Sequence, residues 1–374
     1  MTGKVLIVGA GIGGLTLAQC LRKRGIEFDL FEQMPPTRPE GAGLSLTINA
    51  TRLLDALGFG PALRERGQVY HRARIKSDSG AVLQDLDLKA LSRWGEALAL
   101  HRADLRHILS QGLQPQYGRE VTDVQDRGEH IEVTTGQGKA LYELVVAADG
   151  LHSGVRRSQP GTPSPIYSGY TSWRYTQPDP LGLTELVEYW GSGRRLGLVP
   201  IGQGQLYVYA TFNSPARVKS PTFPWHLFGA FPEEVRRVMG SMPPETRVIQ
   251  TDVRELKTHV WHRPRLAFLG DAAHGLTPNL GQGAGTSIED AVVLAECLYH
   301  HGLTPQALDA YAQVRRTRVQ AIARQSRVVG RLGQLEAAPL LRLRDWVIGR
   351  TPEAAAQHNA RQMMIHDAPQ PPQY

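Results

Sequence analysis

Four consecutive apolar residues, Val5-Leu6-Ile7-Val8, run directly into Gly9-Ala10-Gly11-Ile12-Gly13-Gly14, and nothing else in the chain narrows the possible folds as much. A short β-branched run of this kind has the pattern of a strand buried on both faces of a parallel sheet. The glycines then open a helix. Ile12, Leu15, Ala18 and Leu21 recur at three-residue steps, Arg22-Lys23-Arg24 closes the last turn, and Gly25 supplies the stop signal. A second strand, Phe28 to Phe31, ends at Glu32. In such a unit Gly9 permits the tight turn, Gly11 lets the backbone approach a diphosphate, and Gly14 allows close helix-to-strand packing. Ile12 and Gly13 sit in the first helical turn, whose free N-H groups face the phosphates. Glu32 stands where an acid accepts a hydrogen bond from an adenosine ribose hydroxyl and disfavours a phosphorylated ribose. The spacing therefore predicts a dinucleotide site for FAD or NAD rather than NADP, and leaves the choice between those two open.

Two distant segments share this design. Leu144 to Ala148 is another buried-strand run and ends in Asp149-Gly150-Leu151-His152-Ser153-Gly154-Val155-Arg156. Leu266 to Leu269 leads into Gly270-Asp271-Ala272-Ala273-His274, then Pro278-Asn279-Leu280-Gly281-Gln282-Gly283-Ala284-Gly285. A helical pattern follows, with Ile288, Ala291, Val292, Ala295 and Leu298 on one face. Asp149-Gly150 alone is an ordinary turn, and so is Gly270-Asp271. Their joint order, each at the end of a strand and the last before a Gly-rich helix start, is what carries information. Such a helix start presents unpaired N-H groups and a partial positive charge, suited to the negative pyrimidine end of a reduced flavin, with Pro278 and Leu280 offering an apolar surface toward its ring.

Together the three segments resemble those of the p-hydroxybenzoate hydroxylase-like flavin monooxygenases, across most of the chain. The resemblance implies an α/β fold in which a Rossmann-like FAD-binding domain is interleaved with a mixed β-sheet substrate domain, followed by C-terminal helices. It implies that Gly9, Gly11, Gly14 and Glu32 hold the ADP half of FAD and that Asp149 and Gly150 serve both FAD and the nicotinamide cofactor. Asp271 would bind the ribityl chain, and Arg102, in His101-Arg102-Ala103-Asp104-Leu105, would reach the FAD phosphate region from a helix start. Gly281, Gly283 and Ala284 would meet the flavin. The sequence departs from the family at Gln33, where a basic residue is usual after the acid, and at Ile48, where proline is usual.

The expected division is an FAD-binding domain in three parts, 1–70, 101–165 and 263–335. A substrate-domain segment at 71–100 and the substrate domain proper at 166–262 separate them, and a C-terminal helix and tail follow at 336–374. Pro160 to Pro165 is a Pro-, Gly- and Ser-rich boundary, and Ile166 to about Trp261 reads largely as strands and turns, with Tyr207 to Phe212 rich in strand formers and Leu227 to Met239 helical. The resemblance places the substrate beneath this sheet, against the flavin.

Arg194-Arg195, then Gly197-Leu198-Val199-Pro200 and Tyr207, also resemble the bacterial FAD-dependent urate hydroxylases, whose catalytic arginine and tyrosine fall on Arg195 and Tyr207. An arginine can stabilise an anionic ring, and a tyrosine can hydrogen-bond or relay protons. Trp173, Arg174 and Tyr209 are further candidates. Arg38 and Arg174 could meet nicotinamide phosphates, and His274 is expected to hold structure rather than move a proton.

The implied activity is hydroxylation of a small aromatic or heteroaromatic compound, urate-like or phenolic, with NADH or NADPH and dioxygen, through a flavin hydroperoxide. A flavin-linked reductase or dehydrogenase without oxygen insertion, and a non-catalytic flavin-binding redox sensor, are the competing readings. A net charge of +7 does not argue for nucleic acid, because the basic residues are spread along the chain without a run of about five or six. Cys20 and Cys297, the only cysteines, lie in helical apolar patterns and form neither a disulfide framework nor a metal ligand set. No apolar run approaches the length of a membrane span, so a soluble, cytoplasmic monomer or homodimer is expected. Pro305 to Leu335 reads as helices with arginine on the outer face. Leu340 to Ile348 reads as a terminal helix, buried in preference to membrane-facing, and the proline-containing tail from Asp367 to Tyr374 reads as disordered.

Overall fold

The computed structural model describes residues 3–36, 42–218 and 223–373. Arg38 lies outside these residues.

The apolar runs form a six-stranded sheet. Its order is His262–Arg263, Leu266–Phe268, Leu144–Ala147, Val5–Val8, Phe28–Glu32 and Gln116–Tyr117. The four central strands are parallel and in register at their carboxyl ends: Val8 pairs with both Ala147 and Phe31, and Ala147 with Phe268. Both faces are covered, which is why these strands are continuously apolar instead of alternating. Val5, Ile7, Leu144, Val146 and Ala267 pack under the helices Ile12–Lys23, Gly283–His301 and Pro305–Gly333. Leu6, Val8, Val145, Ala147 and Phe268 pack on the other side against Val121, Val124, Ile131, Val133 and Tyr142 of a three-stranded antiparallel sheet.

A seven-stranded mixed sheet forms the second layer. It runs in the order Ile249–Glu255, Ile166–Pro178, Gln205–Asn213, Arg194–Pro200, Leu186–Trp190, Arg72–Ser77 and Val82–Asp87. All pairings are antiparallel except Leu186–Trp190 with Arg72–Ser77. Its two faces differ in chemistry. Trp173, Tyr175, Tyr189, Leu196, Leu198, Leu206 and Val208 share one face and bury it with Phe223, Phe228, Phe231, Val235 and Val238. The other face carries Tyr170, Arg174, Glu188, Arg195, Tyr207 and Tyr209, placed by the period of two and the pairings Gly197 with Tyr209 and Arg174 with Tyr209. A short sheet of Gly43–Leu46, Leu98–His101 and Gln68–Val69 lies between the two layers.

Several expectations are corrected. Leu227 to Met239 is not one helix: a 3-10 turn, Trp225–Phe228, precedes the helix Glu233–Gly240, whose N-cap is Pro232. Pro305 to Leu335 forms one continuous helix, Pro305–Gly333. The helix Ala338–Gly349 is not buried, since Leu340, Leu343, Trp346 and Val347 are all exposed. The tail from Asp367 has no regular structure at 369–373, but its start is anchored. Ala368 is buried, and the carbonyls of Ala368 (3.1 Å) and Pro369 accept hydrogen bonds from Arg52 Nη2. The composition of the tail concealed this because the anchor is a buried arginine more than 300 residues away in sequence. Ile48 begins the helix Ile48–Ala56, where its side chain is fully buried in the core and thus uses a position at which proline would bring only a fixed φ.

Candidate functional site

The carboxyl ends of the parallel strands bring Glu32, Gly9, Asp149 and Gly270 into one row. Open α/β sheets bind ligands at this edge. The glycines there do different things. A Cβ on Gly14 would lie 1.9 Å from Gly9 O, and one on Gly13 would lie 2.4 Å from Leu269 Cδ2, so these two are needed for packing. A Cβ on Gly11 would meet nothing within 4 Å, and the same is true at Gly150, Gly281 and Gly283. Gly11 and Gln282 cap the helices Ile12–Lys23 and Gly283–His301 without a side-chain hydrogen bond. The first-turn amides of both helices are thus left for a ligand. Glu32 Oε2 accepts from Ala10 N at 2.9 Å and Oε1 from Met34 N at 2.9 Å, which aims the carboxylate while each oxygen keeps a lone pair.

Asp149 Oδ2 accepts from Val155 N at 3.2 Å, and Oδ1 is buried with no partner among the described residues. Burial raises the Asp149 carboxyl above its ordinary value. Asp271 stands on the cleft wall, reached by solvent yet hemmed in by protein. Desolvation raises its carboxyl too, against the opposing fields of His274 and Arg102. Arg102 opens the helix Arg102–Ser110, and its backbone N-H donates to Ala42 O at 3.0 Å. Its field reaches Tyr207 as well. A glycine cradle, two uncapped helix starts, an oriented acid at Glu32 and the desolvated carboxyls of Asp149 and Asp271 at one edge fit FAD. Gly9, Gly11, Ile12, Gly13, Gly14 and Glu32 would hold its ADP half, and Asp271 with the Pro278-to-Ala284 turn its flavin half.

Apart from His274, the groups that hold this edge together lie outside the sequence-predicted site. Arg156 is fully buried and donates to Ala272 O at 2.7 Å and to Pro163 O at 3.1 Å, tying the second segment to the third. Asp290 Oδ2 accepts from Gly270 N at 3.0 Å and from His274 Nε2 at 2.6 Å, while Arg315 Nε donates to Oδ1 at 2.7 Å. Burial alone would raise the Asp290 carboxyl, but His274 and Arg315 outweigh it and hold it at about 2. His274 is accordingly part of the scaffold. Glu289 pairs with Arg315 and Arg318 and accepts from Asn49 Nδ2 at 2.7 Å. Gln282, bonded to both Asn49 and Thr47, completes the link to the flavin turn. Two adjacent acids inside an apolar helix, with Arg315 and Arg318 three residues apart in the next, were the available signal, since buried charges are paired.

The polar face of the seven-stranded sheet meets this turn. Asn279 Oδ1 accepts from Arg195 Nη2 at 2.6 Å and from Tyr170 Oη at 3.0 Å. Arg195 also donates to Gln334 Oε1 at 3.1 Å and pairs with Glu188 Oε1 at 3.3 Å. Tyr207 packs on Gly43, where a Cβ would lie 2.4 Å from the Tyr207 Cβ, and its ring centroid is 5.8 Å from that of Tyr209. Burial raises the Tyr207 phenol above its ordinary value, partly opposed by Arg174 and Arg102. Tyr207 is a neutral hydrogen-bonding group at physiological pH. Trp173 lies on the opposite face, stacked on Phe212 at 4.6 Å.

This geometry, an FAD edge roofed by a mixed sheet with a polar inner face, defines a flavin-dependent aromatic hydroxylase. Residues 2–326 match the family described as FAD binding domain. The chain is 36% identical over 347 residues to the aurachin C monooxygenase/isomerase of Stigmatella aurantiaca, covering 89% of this chain and 90% of that protein. It is 35% identical over 371 residues to the 2-heptyl-3-hydroxy-4(1H)-quinolone synthase of Pseudomonas aeruginosa, covering 94% and 95%. The crystal structure of Klebsiella pneumoniae HpxO with FAD and uric acid superposes with a TM-score of 0.90 at 25% identity, covering 98% and 97%. The chain belongs to the FAD-binding-domain family, among its class A flavin monooxygenases acting on aromatic and heteroaromatic rings.

Proposed function

We propose that this monooxygenase hydroxylates an uncharged, alkyl-bearing heteroaromatic of the 4-quinolone class, with NADH or NADPH as electron donor. The observation that carries the reading is the state of Arg195. Its guanidinium is neutralised by Glu188 and occupied by Asn279 and Gln334, so the inner face offers no free cation at that position for an anionic ring such as urate. The likeness to the quinolone synthase and the aurachin C enzyme supports the same class. Bound FAD supplies hydride acceptance from the nicotinamide donor and activation of dioxygen. The protein's part is to hold the ring against the flavin turn, to exclude water, and to donate hydrogen bonds from groups such as Tyr207.

The test is NAD(P)H oxidation by the FAD-loaded protein with 2-heptyl-4(1H)-quinolone, urate, salicylate and hydroxybenzoates, recording oxygen uptake and product mass. Coupled oxidation with a quinolone product gaining one oxygen atom is the expected result. Turnover of urate or a benzoate without turnover of the quinolone would overturn the proposal.

A further inference from the structure

The turn at residues 334–337 joins Pro305–Gly333 to the helix Ala338–Gly349, which packs on the edge strand Val82–Asp87, and Arg344 Nη1 donates to Leu332 O at 3.3 Å across the junction. Arg344 is buried, with its guanidinium 5.5 Å from the Trp190 ring, so the inward face of this helix is defined. The outward face is apolar. At 100° per residue, Leu340, Leu343, Trp346 and Val347 fall within an arc of about 120°, and they are 48%, 56%, 55% and 49% exposed. Leu332 at the end of the preceding helix is exposed as well. The side chains leave on the order of 400 Å² of apolar surface uncovered, a size at which a patch marks an interaction site.

The charges around the patch indicate what covers it. Arg331, Arg342 and Arg350 are exposed around it, and Arg350 lies 4.6 Å from the Trp346 ring. Two neighbouring acids are engaged within the chain: Asp345 Oδ1 accepts from Arg344 Nε at 2.7 Å, and Glu336 Oε1 from Asn213 Nδ2 at 2.8 Å. An apolar stripe with tryptophan at its margin and arginines beside it is the pattern of a helix lying in a membrane interface. Among the described residues no helix is long and apolar enough to cross a bilayer. A second copy of the chain is a poorer occupant, because a two-fold contact through this face would bring the arginines beside the stripe toward those of the other copy.

We infer that the helix Ala338–Gly349 docks the enzyme on an anionic phospholipid surface, with Leu340, Leu343, Trp346 and Val347 in the headgroup boundary and Arg331, Arg342 and Arg350 on lipid phosphates. This goes beyond the substrate proposal and does not rest on it. Co-sedimentation of the FAD-loaded protein with vesicles of phosphatidylglycerol and phosphatidylethanolamine tests it, with pure phosphatidylcholine vesicles as the neutral control. Binding to the anionic vesicles alone is expected, weakened by salt. Leu343→Asp, and separately the pair Arg342→Glu and Arg350→Glu, should each lower the bound fraction about tenfold or more, with unchanged thermal unfolding because all three positions are exposed. The inference is overturned if the wild type stays in solution, or if the variants bind like the wild type. It is equally overturned if sedimentation velocity shows a dimer that Leu343→Asp splits, for then a second copy covers the face.

Discussion

Arg195 Nη2 donates to Asn279 Oδ1 at 2.6 Å, joining the inner face of the seven-stranded sheet to the turn that opens the helix Gly283–His301. Asn279 Nδ2 in turn donates to Ser326 O at 2.9 Å, so the same side chain reaches the long C-terminal helix. The position of the Pro278-to-Ala284 turn relative to the seven-stranded sheet is thereby set by hydrogen bonds as well as by packing. Removal of the Asn279 amide in Asn279→Ala should loosen that register, with about 1–3 kcal/mol lost in stability. The catalytic symptom should be NAD(P)H oxidation exceeding product formation, read by comparing oxygen uptake with product. Full coupling in this variant would show that the contact does not position the turn.

Glu188 and Arg195 are both largely buried and face each other, so removing one strands the other. Arg195→Met should destabilise by about 3–5 kcal/mol, and Glu188→Gln in the same chain should restore a substantial part. A double-mutant cycle by chemical denaturation checks this, and additive losses would mean that the pair is uncoupled.

The glycines of the first segment should separate by phenotype. Gly14→Ala drives a Cβ into Gly9 O and should destabilise the protein even without FAD, by roughly 2 kcal/mol or more. Gly11→Ala points its methyl into open space and should leave thermal unfolding of the FAD-free protein nearly unchanged while lowering FAD affinity about tenfold or more. Equal effects of the two on the FAD-free protein would refute the division into packing and ligand-facing roles.

Acid should act on stability in two windows. Burial, with His274 and Arg327 adding to it, depresses His259 from its ordinary 6.5 to about 4. The unfolded chain therefore binds a proton there first as pH falls, and stability declines from about pH 6.5 to 4. Asp290, held at about 2, contributes stability that is present above its ordinary 3.8 and lost as pH falls from 3.8 toward 2. Each is worth on the order of 2–3 kcal/mol. Denaturation curves across pH check this, and His259→Phe should reduce the decline in the upper window and leave the lower one unchanged.

Tyr207→Phe should retain FAD and lower turnover, if its hydroxyl hydrogen-bonds the substrate. Because burial raises the phenol above its ordinary value, a group that titrates near neutrality in the rate profile and persists in Tyr207→Phe is not this tyrosine.

The periodicities in the sequence are enough to find the glycine-rich edge of the parallel sheet, because each of its segments is local: a buried strand, a turn that needs glycine, and a helix start. Asp290 and Arg156 escaped notice because their partners, Gly270, His274 and Ala272, are assembled only when three distant strands align. The helix Ala338–Gly349 was placed inside by its apolar content, yet apolar content does not say which neighbour is present to cover it. The prolines of the tail from Asp367 carry no sign of the anchor at Ala368 and Pro369, which Arg52 supplies from across the fold.

By itself the sequence determined a dinucleotide site at the ends of buried parallel strands, since that follows from backbone requirements repeated there, while FAD and the interleaved α/β architecture came from the family resemblance of the three segments. Only the tertiary structure decided that Arg195 is neutralised by Glu188 and held by Asn279, and that Leu340, Leu343, Trp346 and Val347 face outward. Charge compensation and exposure depend on which side chains meet across the fold, and no local pattern encodes that.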